Sequence, residues 1–477
     1  MRRLLSLTIL LSLILLIPGV SAQAVAAEDL SDSEHVLDSR GIPSVEQLFD
    51  MELEAPQHCE ADSRITLEHP EGVASVYLIF DREYGSVLLT DEASRRSARI
   101  DTKGVLHCLL DVEKVFGSCP ERLTLRFCDG EVWLNELRYF SAGSLPDWVQ
   151  RWNMIPDGGA DLLLLSAHGD DEQLFFAGLL PWYAGEKGYR VQVVYFTDHR
   201  NMVNYRVHEM LNGLWAVGVR DYPVFGSFED YYTFDMHDAY RFYENQGHSR
   251  QALDAFIVEQ LRRYQPLVAV SHDERGEYGH GMHQMCADLL KNAVEHSGDP
   301  LKYPELAEKY GAWDVPKTYL HLYPENRIVM DWDIPLEAFD GKTAYQVTKE
   351  LGFPSHVSQI KDFAWYFRGA DRAADVGAHN PCQFGLYRTT VGEDTGAGDF
   401  FENVTHLFEP LIPAEPVPTE TEAPIALVAS RAVSAAPIGE PAADLSAEEN
   451  WILIPAVGTI VLLLLTTCLS VPAFKEM

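Results

Sequence analysis

Positive charge is scarce in this chain relative to negative. Its 477 residues include 72 acidic side chains against 37 lysines and arginines, a formal net charge of -35. That balance repels phosphate backbones, and with no basic patch or nucleic-acid motif to offset it, nucleic acid is excluded as a partner. A glycine-rich phosphate loop is also missing, which leaves nucleotide cofactors without a cradle. No sequence repeat recurs, so a solenoid or propeller is excluded. Cysteine is sparse, with seven residues in all. Hydrophobic residues make up 47% of the chain, enough for real cores in two or three domains.

Both ends read as membrane-directed. Arg2 and Arg3 precede an apolar run from Leu4 to Ile17, then Pro18, Gly19 and small residues to Ala22. This is the pattern of a secretory signal peptide over residues 1–22, with cleavage after Ala22 and Ala24 or Ala27 as alternatives. Residues 451–474 carry no charge and reach the roughly 20 residues needed to cross a bilayer. Between residues 411 and 450 the composition turns to Pro, Ala, Glu, Thr and Val without periodicity, an extended acidic stalk. The expected location is a cell membrane, single-pass, with the rest of the chain on the extracytoplasmic side.

The interior divides in two. Residues 28–57 are acidic and irregular and suggest no chemistry. Short alternating runs between Ile65 and Phe140, split by Gly, Pro, Asp and Glu turns, predict a small antiparallel β-sandwich over residues 45–145. Cys59, Cys108, Cys119 and Cys128 fall within it; export would let them oxidise, with three pairings open. From residue 158 to 408 apolar strands alternate with helical spacing, which predicts an α/β domain with a mostly parallel sheet. Strands are expected at 161–166, 190–199, 221–225 and 266–273, and helices at 173–185, 205–217, 251–264 and 281–296.

The first of these strands carries the strongest signal. DLLLLSAHGDDE (161–172) runs four leucines directly into a histidine and three acids, as in a strand covered on both faces that ends at a ligand-binding edge. His168 and Asp171 offer a nitrogen and an oxygen from one tight turn, two thirds of an open zinc site. A second strand ends in HDERGEYGHGMH (272–283), where His280 and His283 stand three apart as loop becomes helix. Glu172 reads as an acid at a helix N-terminus or a supporting partner rather than a ligand. Cys286 reads as a small buried hydrophobe.

Taken as a pair, AHGDDE (167–172) and GEYGHGMH (276–283) resemble the PIG-L/LmbE family of zinc-dependent N-acetylglucosaminyl deacetylases. The resemblance covers residues 158–408 and implies a Rossmann-like fold. It implies zinc held by His168, Asp171 and His283, Asp170 as general base, and His280 stabilising the oxyanion and protonating the leaving amine, with Tyr278 assisting. Two departures stand out: Gly169 occupies a position where the family usually has proline, and Asp198 and His199 end a strand where it commonly has glycine. Arg206 is a candidate for substrate binding, and His199, His237, His379, Trp182, Tyr231, Tyr232 and Trp365 for lining the pocket.

The function these readings imply is a membrane-anchored, extracytoplasmic zinc deacetylase acting on N-acetylglucosamine-type sugars of a glycan or glycoconjugate. The alternatives are an inactive surface carbohydrate-binding protein, or a zinc amidase for another amide conjugate. The sequence leaves the oligomeric state undetermined.

Overall fold

The computed structural model describes residues 25–199, 204–396 and 398–405. The expected signal peptide, stalk and membrane-spanning segment lie outside the described residues. Among the described residues no helix is long and apolar enough to cross a membrane.

Among the described residues nine strands precede residue 141, in two antiparallel sheets. β1 (Val36–Arg40), β3 (Arg64–Glu68), β8 (Arg122–Phe127), β5 (Ser86–Asp91) and β6 (Arg96–Asp101) lie in that order in one. The other holds β2 (Gln57–Cys59), β9 (Val132–Phe140), β4 (Ser75–Phe80) and β7 (His107–Asp111). Alternation decides which residues face inward: Ile65 and Leu67, Leu123 and Leu125, and Val76, Leu78 and Phe80 enter one buried cluster. Tyr77 and Ile79, pointing the other way from β4, pack with Phe140 and Val149. The irregular lead-in expected at 28–57 is partly ordered, because β1 pairs with β3.

The four clustered cysteines are free thiols, as are Cys286 and Cys382. This corrects the expectation that they oxidise. Cys59 on β2 and Cys108 on β7 sit on opposite edge strands with β9 and β4 between them. Three strand spacings of about 4.8 Å put them roughly 14 Å apart, beyond the ~7 Å reach of a disulfide.

The second half is built on a seven-stranded mixed sheet. Its order is β12 (Val224–Phe228), β11 (Val191–Thr197), β10 (Leu162–Ser166), β13 (Val268–Ser271), β14 (Lys317–His321), β16 (Gln383–Thr389) and β15 (Arg327–Val329). The first five are parallel, β16 runs antiparallel to β14, and β15, antiparallel to β16, returns to the direction of the first five. Chain order within the parallel part runs outward in both directions from β10, so the connections diverge at the β10–β13 boundary, where such sheets leave a crevice. Leu162 and Leu164 enter the cluster on one face while Leu163 and Leu165 enter that on the other, which is why four consecutive leucines are needed. Each fully buried leucine contributes roughly 1.5–3 kcal/mol.

Four helices place the site. α1 (Arg206–Ala216) follows β11; α2 (Met236–Asn245), α3 (Arg250–Tyr264) and α4 (Gly281–Ser297) pack on the Leu163 face. Asp235 caps α2 by accepting from the amides of His237 and Asp238, and Ser249 caps α3 through Ala252. The helix expected at 173–185 is broken: only Asp171–Leu174 is α-helical, Gly178 turns at φ 94, and Pro181–Glu186 forms a π-turn. The short strand expected at 221–225 lies at Val224–Phe228.

The two halves meet through buried polar contacts. His107 Nδ1 lies 2.7 Å from the Tyr77 hydroxyl and its Nε2 3.0 Å from His208 Nδ1 on α1. Burial pushes His107 well down and His208 down to about 4, so both rings are neutral at pH 7. Leu106 donates its amide to the Tyr222 hydroxyl, and Asn204 donates to Asp81.

Candidate metal and catalytic site

Each of the five parallel strands delivers a polar side chain at its carboxyl end. His168 follows β10, His199 follows β11, Asp230 follows β12, His272 follows β13, and His321 closes β14. Gly281 to Ser297 then adds His283 from the first turn of α4, and the loop before it adds Glu277, Tyr278 and His280.

Three ligand side chains form a small triangle. His168 Nδ1 is 3.0 Å from His283 Nε2 and 3.1 Å from Asp171 Oδ2, and His283 Nε2 is 3.4 Å from Asp171 Oδ1. Tetrahedral zinc with bonds of about 2.1 Å separates its ligands by about 3.4 Å, so this donor set fits such an ion. The remaining nitrogens are each turned to a carboxylate. His168 Nε2 lies 3.2 Å from Asp230 Oδ1 and His283 Nδ1 lies 2.7 Å from Glu277 Oε2. Both lone pairs facing the triangle are thereby left free for a metal. His272 also has a nitrogen near Asp171 and His283, but that nitrogen accepts the Ala167 amide at 2.9 Å, so it is not available as a ligand.

The electrostatics favour a cation at this point. Burial lowers His168, but the carboxylates of Asp230 and Asp171 outweigh it and hold the imidazole up at about 10. Burial would raise Asp171, yet His283 and His168 hold it well below the usual carboxylate range. Asp230 is held low against burial in the same way, chiefly by His168.

Asp170, beside the triangle, behaves differently. Burial pushes its carboxyl up to about 6, with Arg206 limiting the rise, and its Oδ2 has no hydrogen-bond partner among the described residues. Arg206 Nη2 donates to the Gly169 carbonyl at 3.1 Å and stands 3.6 Å from Asp170 Oδ1. The sequence expectation assigned Arg206 to substrate; the structure places it in the cavity wall, already engaged with the catalytic turn. His280 has a buried Nδ1 without a partner among the described residues, and burial together with His168 and His283 pushes it down to about 2, so its ring is neutral. Tyr278 sits at φ 45, and burial holds its hydroxyl well above its usual value.

These groups open on a cavity of about 500 Å³ lined by His168, Asp170, Asp171, Arg206, Asp230 and Tyr278, with His280 beside them. Its outer wall is aromatic and polar: Tyr232, Phe363 and Trp365 with Gln359 and Asp362. Tyr232 is 67% exposed and Trp365 43%, so both present ring faces to solvent. The other aromatic and histidine candidates lie elsewhere. Tyr231 stacks on Phe242 at 4.1 Å, Trp182 lies under Lys187, and His237 is exposed on α2. His199 and His379 support the site from behind, accepting the amides of Gly169 and Tyr278 at 3.0 Å each. Glu172 is buried against His356 at 2.9 Å and is no ligand. Cys286 is buried in the core beneath α4.

Two functional positions escaped the sequence reading. Asp230 lies in an aromatic loop with no spacing relation to either motif; only the sheet order brings it to His168. Glu277 is inside the second motif, yet its role depends on the positive-φ turn at Tyr278 that folds it back under His283.

The PIG-L pattern, described as GlcNAc-PI de-N-acetylase, matches residues 163–294. A 1D-myo-inositol 2-acetamido-2-deoxy-alpha-D-glucopyranoside deacetylase of Catenulispora acidiphila is 30% identical over 222 residues, covering 42% of this chain and 67% of that protein. A protein of the same description from Geodermatophilus obscurus is 28% identical, covering 35% and 62%. Thus the chain spans about two thirds of the length of these relatives. Among solved structures, N,N'-diacetylchitobiose deacetylase from Pyrococcus horikoshii aligns with a TM-score of 0.35 at 15% identity, over 47% of this chain and 82% of that one. With both motifs of the matched segment converging on one buried triangle, this chain belongs to the PIG-L family.

Proposed function

We propose that this protein is a zinc-dependent hydrolase that removes the acetyl group from an N-acetylglucosamine-type sugar. The observation that carries this reading is the triangle of His168, Asp171 and His283 with the Asp170 carboxylate beside it, whose Oδ2 has no hydrogen-bond partner among the described residues, open to a cavity with exposed aromatic rings. His168, Asp171 and His283 would hold the ion, which when bound lowers the pKa of a water toward about 7 and polarises a carbonyl.

The chain's own residues supply the rest. Asp170 takes a proton from the attacking water as its oxygen adds to the acetamide carbon. A neutral His280 donates its N–H to the oxyanion, and the Tyr278 phenol, protonated at any working pH, does the same. His280 is too weak a base to start out charged, so Asp170 is the group that returns the proton to the departing nitrogen. The C–N bond breaks and acetate and a free amine leave. Tyr232 and Trp365 offer faces on which a sugar ring stacks.

The proposed setting is the outer face of a membrane, supported by the leader at 1–22, the stalk at 411–450 and the apolar segment at 451–474. A glycan or glycoconjugate of the cell envelope is the substrate within reach there. The test is acetate release from N-acetylglucosamine oligomers and isolated envelope glycans by membrane fractions, with and without chelator. Chelator-sensitive release is expected. Turnover of a small amide conjugate with none of any amino sugar would reject the substrate while leaving the hydrolase.

A further inference from the structure

The cavity continues outward past the groups that handle the acetamide, along two rows of aromatic rings. On one side the Tyr232 ring lies 5.1 Å from the His280 ring, and the Phe234 ring 5.2 Å from that of Tyr232. On the other, the Phe363 ring lies 6.4 Å from that of Tyr278, and Trp365 follows two residues on, braced edgewise against Tyr366 at 5.9 Å. Like Tyr232 and Trp365, Phe234 is exposed, at 60%. Large rings held in water around a concave site mark a place where a ligand covers them.

The second row is fixed before any ligand arrives. Its two short helical turns, Val357–Gln359 and Ile360–Phe363, are tied down on either side. His356 Nε2 lies 2.9 Å from Glu172 Oε1, and the Glu209 carboxylate on α1 accepts the Ser358 amide at 2.8 Å and its hydroxyl at 2.5 Å. Past the turns, the Tyr366 hydroxyl donates to the His379 carbonyl at 2.7 Å, and His379 is the residue that accepts the Tyr278 amide. A wall held in this way loses little entropy on binding. Two polar groups stand among its rings. Gln359 commits Nε2 to Ser358 Oγ at 2.9 Å, which leaves its amide oxygen available. The exposed Asp362 carboxylate has no hydrogen-bond or ion-pair partner among the described residues. Arg206 also lines the cavity but is engaged with Gly169 and Asp170, so among the described residues the outer wall offers a carboxylate and no free cation.

We propose that this outer wall is a subsite for a second sugar ring, the one next to the N-acetylated unit, and that Asp362 makes it selective for a neutral or amine-bearing neighbour over one carrying phosphate or carboxylate. The inference rests on the deacetylase reading above and narrows its substrate class to oligosaccharides. Tyr232, beside His280, meets the reacting ring; Phe234 and Trp365 stand farther out and meet the next. Aromatic faces take the apolar side of a sugar ring whatever its charge. The acceptors Gln359 and Asp362 add the discrimination, since they suit hydroxyl and ammonium donors and repel anions. The product of the reaction is itself such a neighbour. Once acetate has left, the freed amine is protonated at neutral pH and, when it belongs to the adjacent unit, pairs with Asp362. A partly deacetylated chain therefore remains a substrate. Gln359, Asp362, Phe363 and Trp365 all lie outside the 163–294 segment matched by the PIG-L pattern.

The test is kcat/KM of the zinc-loaded full chain on four sugars: N-acetylglucosamine, its disaccharide, a disaccharide whose neighbouring unit is glucosamine, and one whose neighbouring unit is a uronic acid. The parent is expected to prefer the disaccharide to the monosaccharide by about 10-fold, the size of one added aromatic contact, and to turn over the uronate-bearing sugar slowest. Trp365→Ala should bring the disaccharide-to-monosaccharide ratio towards one. Asp362→Asn should shrink the preference for the amine-bearing over the carboxylate-bearing neighbour by about 3-fold to 5-fold, as for an exposed charge pair, and high salt should shrink it in the parent. Equal kcat/KM on one and two sugars, a ratio that survives Trp365→Ala, or a charge preference untouched by Asp362→Asn overturns the subsite while leaving the deacetylase. No acetate from any of the four sugars overturns both.

Discussion

Gly169 donates its backbone N–H to His199 Nε2 at 3.0 Å. Gly169 and His199, one residue from each of the two departures from the family pattern, are therefore the two ends of one buried hydrogen bond. A proline at 169 would remove the donor, and any side chain there would meet Met210, whose Cγ and Sδ lie 2.4 Å from the added carbon. His199 Nε2 would keep the Thr197 hydroxyl at 3.2 Å, so Gly169→Pro is expected to cost about 0.5–1.5 kcal/mol for the lost hydrogen bond, in addition to the clash with Met210. Gly169→Pro with His199→Gly should cost less than the two single changes summed. Urea unfolding of all four proteins checks this, and strict additivity would show that the residues are not linked.

Asp170→Asn removes the base and no ligand. Zinc content should stay at one ion per chain while kcat/KM falls by roughly 100-fold to 10,000-fold. In the parent, activity should rise with pH as the carboxylate ionises. The carboxyl stands at about 6 and a bound dication pulls it lower, so the acidic limb should lie at or below pH 6. A limb well above 6 would point to another group.

Asp230→Asn keeps the shape but loses the charge that faces His168 Nε2. Zinc affinity is expected to fall about 10-fold to 100-fold, the range for lost partners of metal-binding histidines. Competition with a chromogenic chelator measures it. An unchanged dissociation constant would mean that Asp171 alone orients His168.

Asp221 offers a test away from the site. Burial pushes its carboxyl up to about 7, with Arg190 opposing, so the folded state prefers the protonated form. Its contribution is fully present below the unfolded value near 3.8 and is lost as pH rises through 7. Asp221→Asn should therefore raise Tm at pH 8 and leave it nearly unchanged at pH 4. A gain of equal size at both would reject the assignment.

What was legible in the sequence was whatever local pattern dictates. Four leucines followed by His168 can only be a covered strand meeting a polar edge, and Gly281–Ser297 begins where the periodicity of its apolar face begins. What was not legible depends on distant backbone. Asp230 and His321 reach the site because β12 and β14 flank the parallel core on either side, a fact of strand order that no spacing encodes. The helix expected at 173–185 failed at Gly178, whose added carbon would lie 2.4 Å from the Trp332 ring, and at Pro181. Cys59 and Cys108 share a segment but not a neighbourhood, since strand pairing set these two on opposite edges.

The hydrogen-bonded pair His107–His208 joins the antiparallel sheets to the helix that carries Arg206. Removing residues before 141 would leave the His208 ring and the Tyr222 hydroxyl open to solvent on a surface shaped to be interior. The amino-terminal half is then a structural part of the enzyme rather than a detachable binding module. Calorimetry of the full chain should show one transition for both halves, and a fragment starting near residue 145 should be recovered mainly as aggregate.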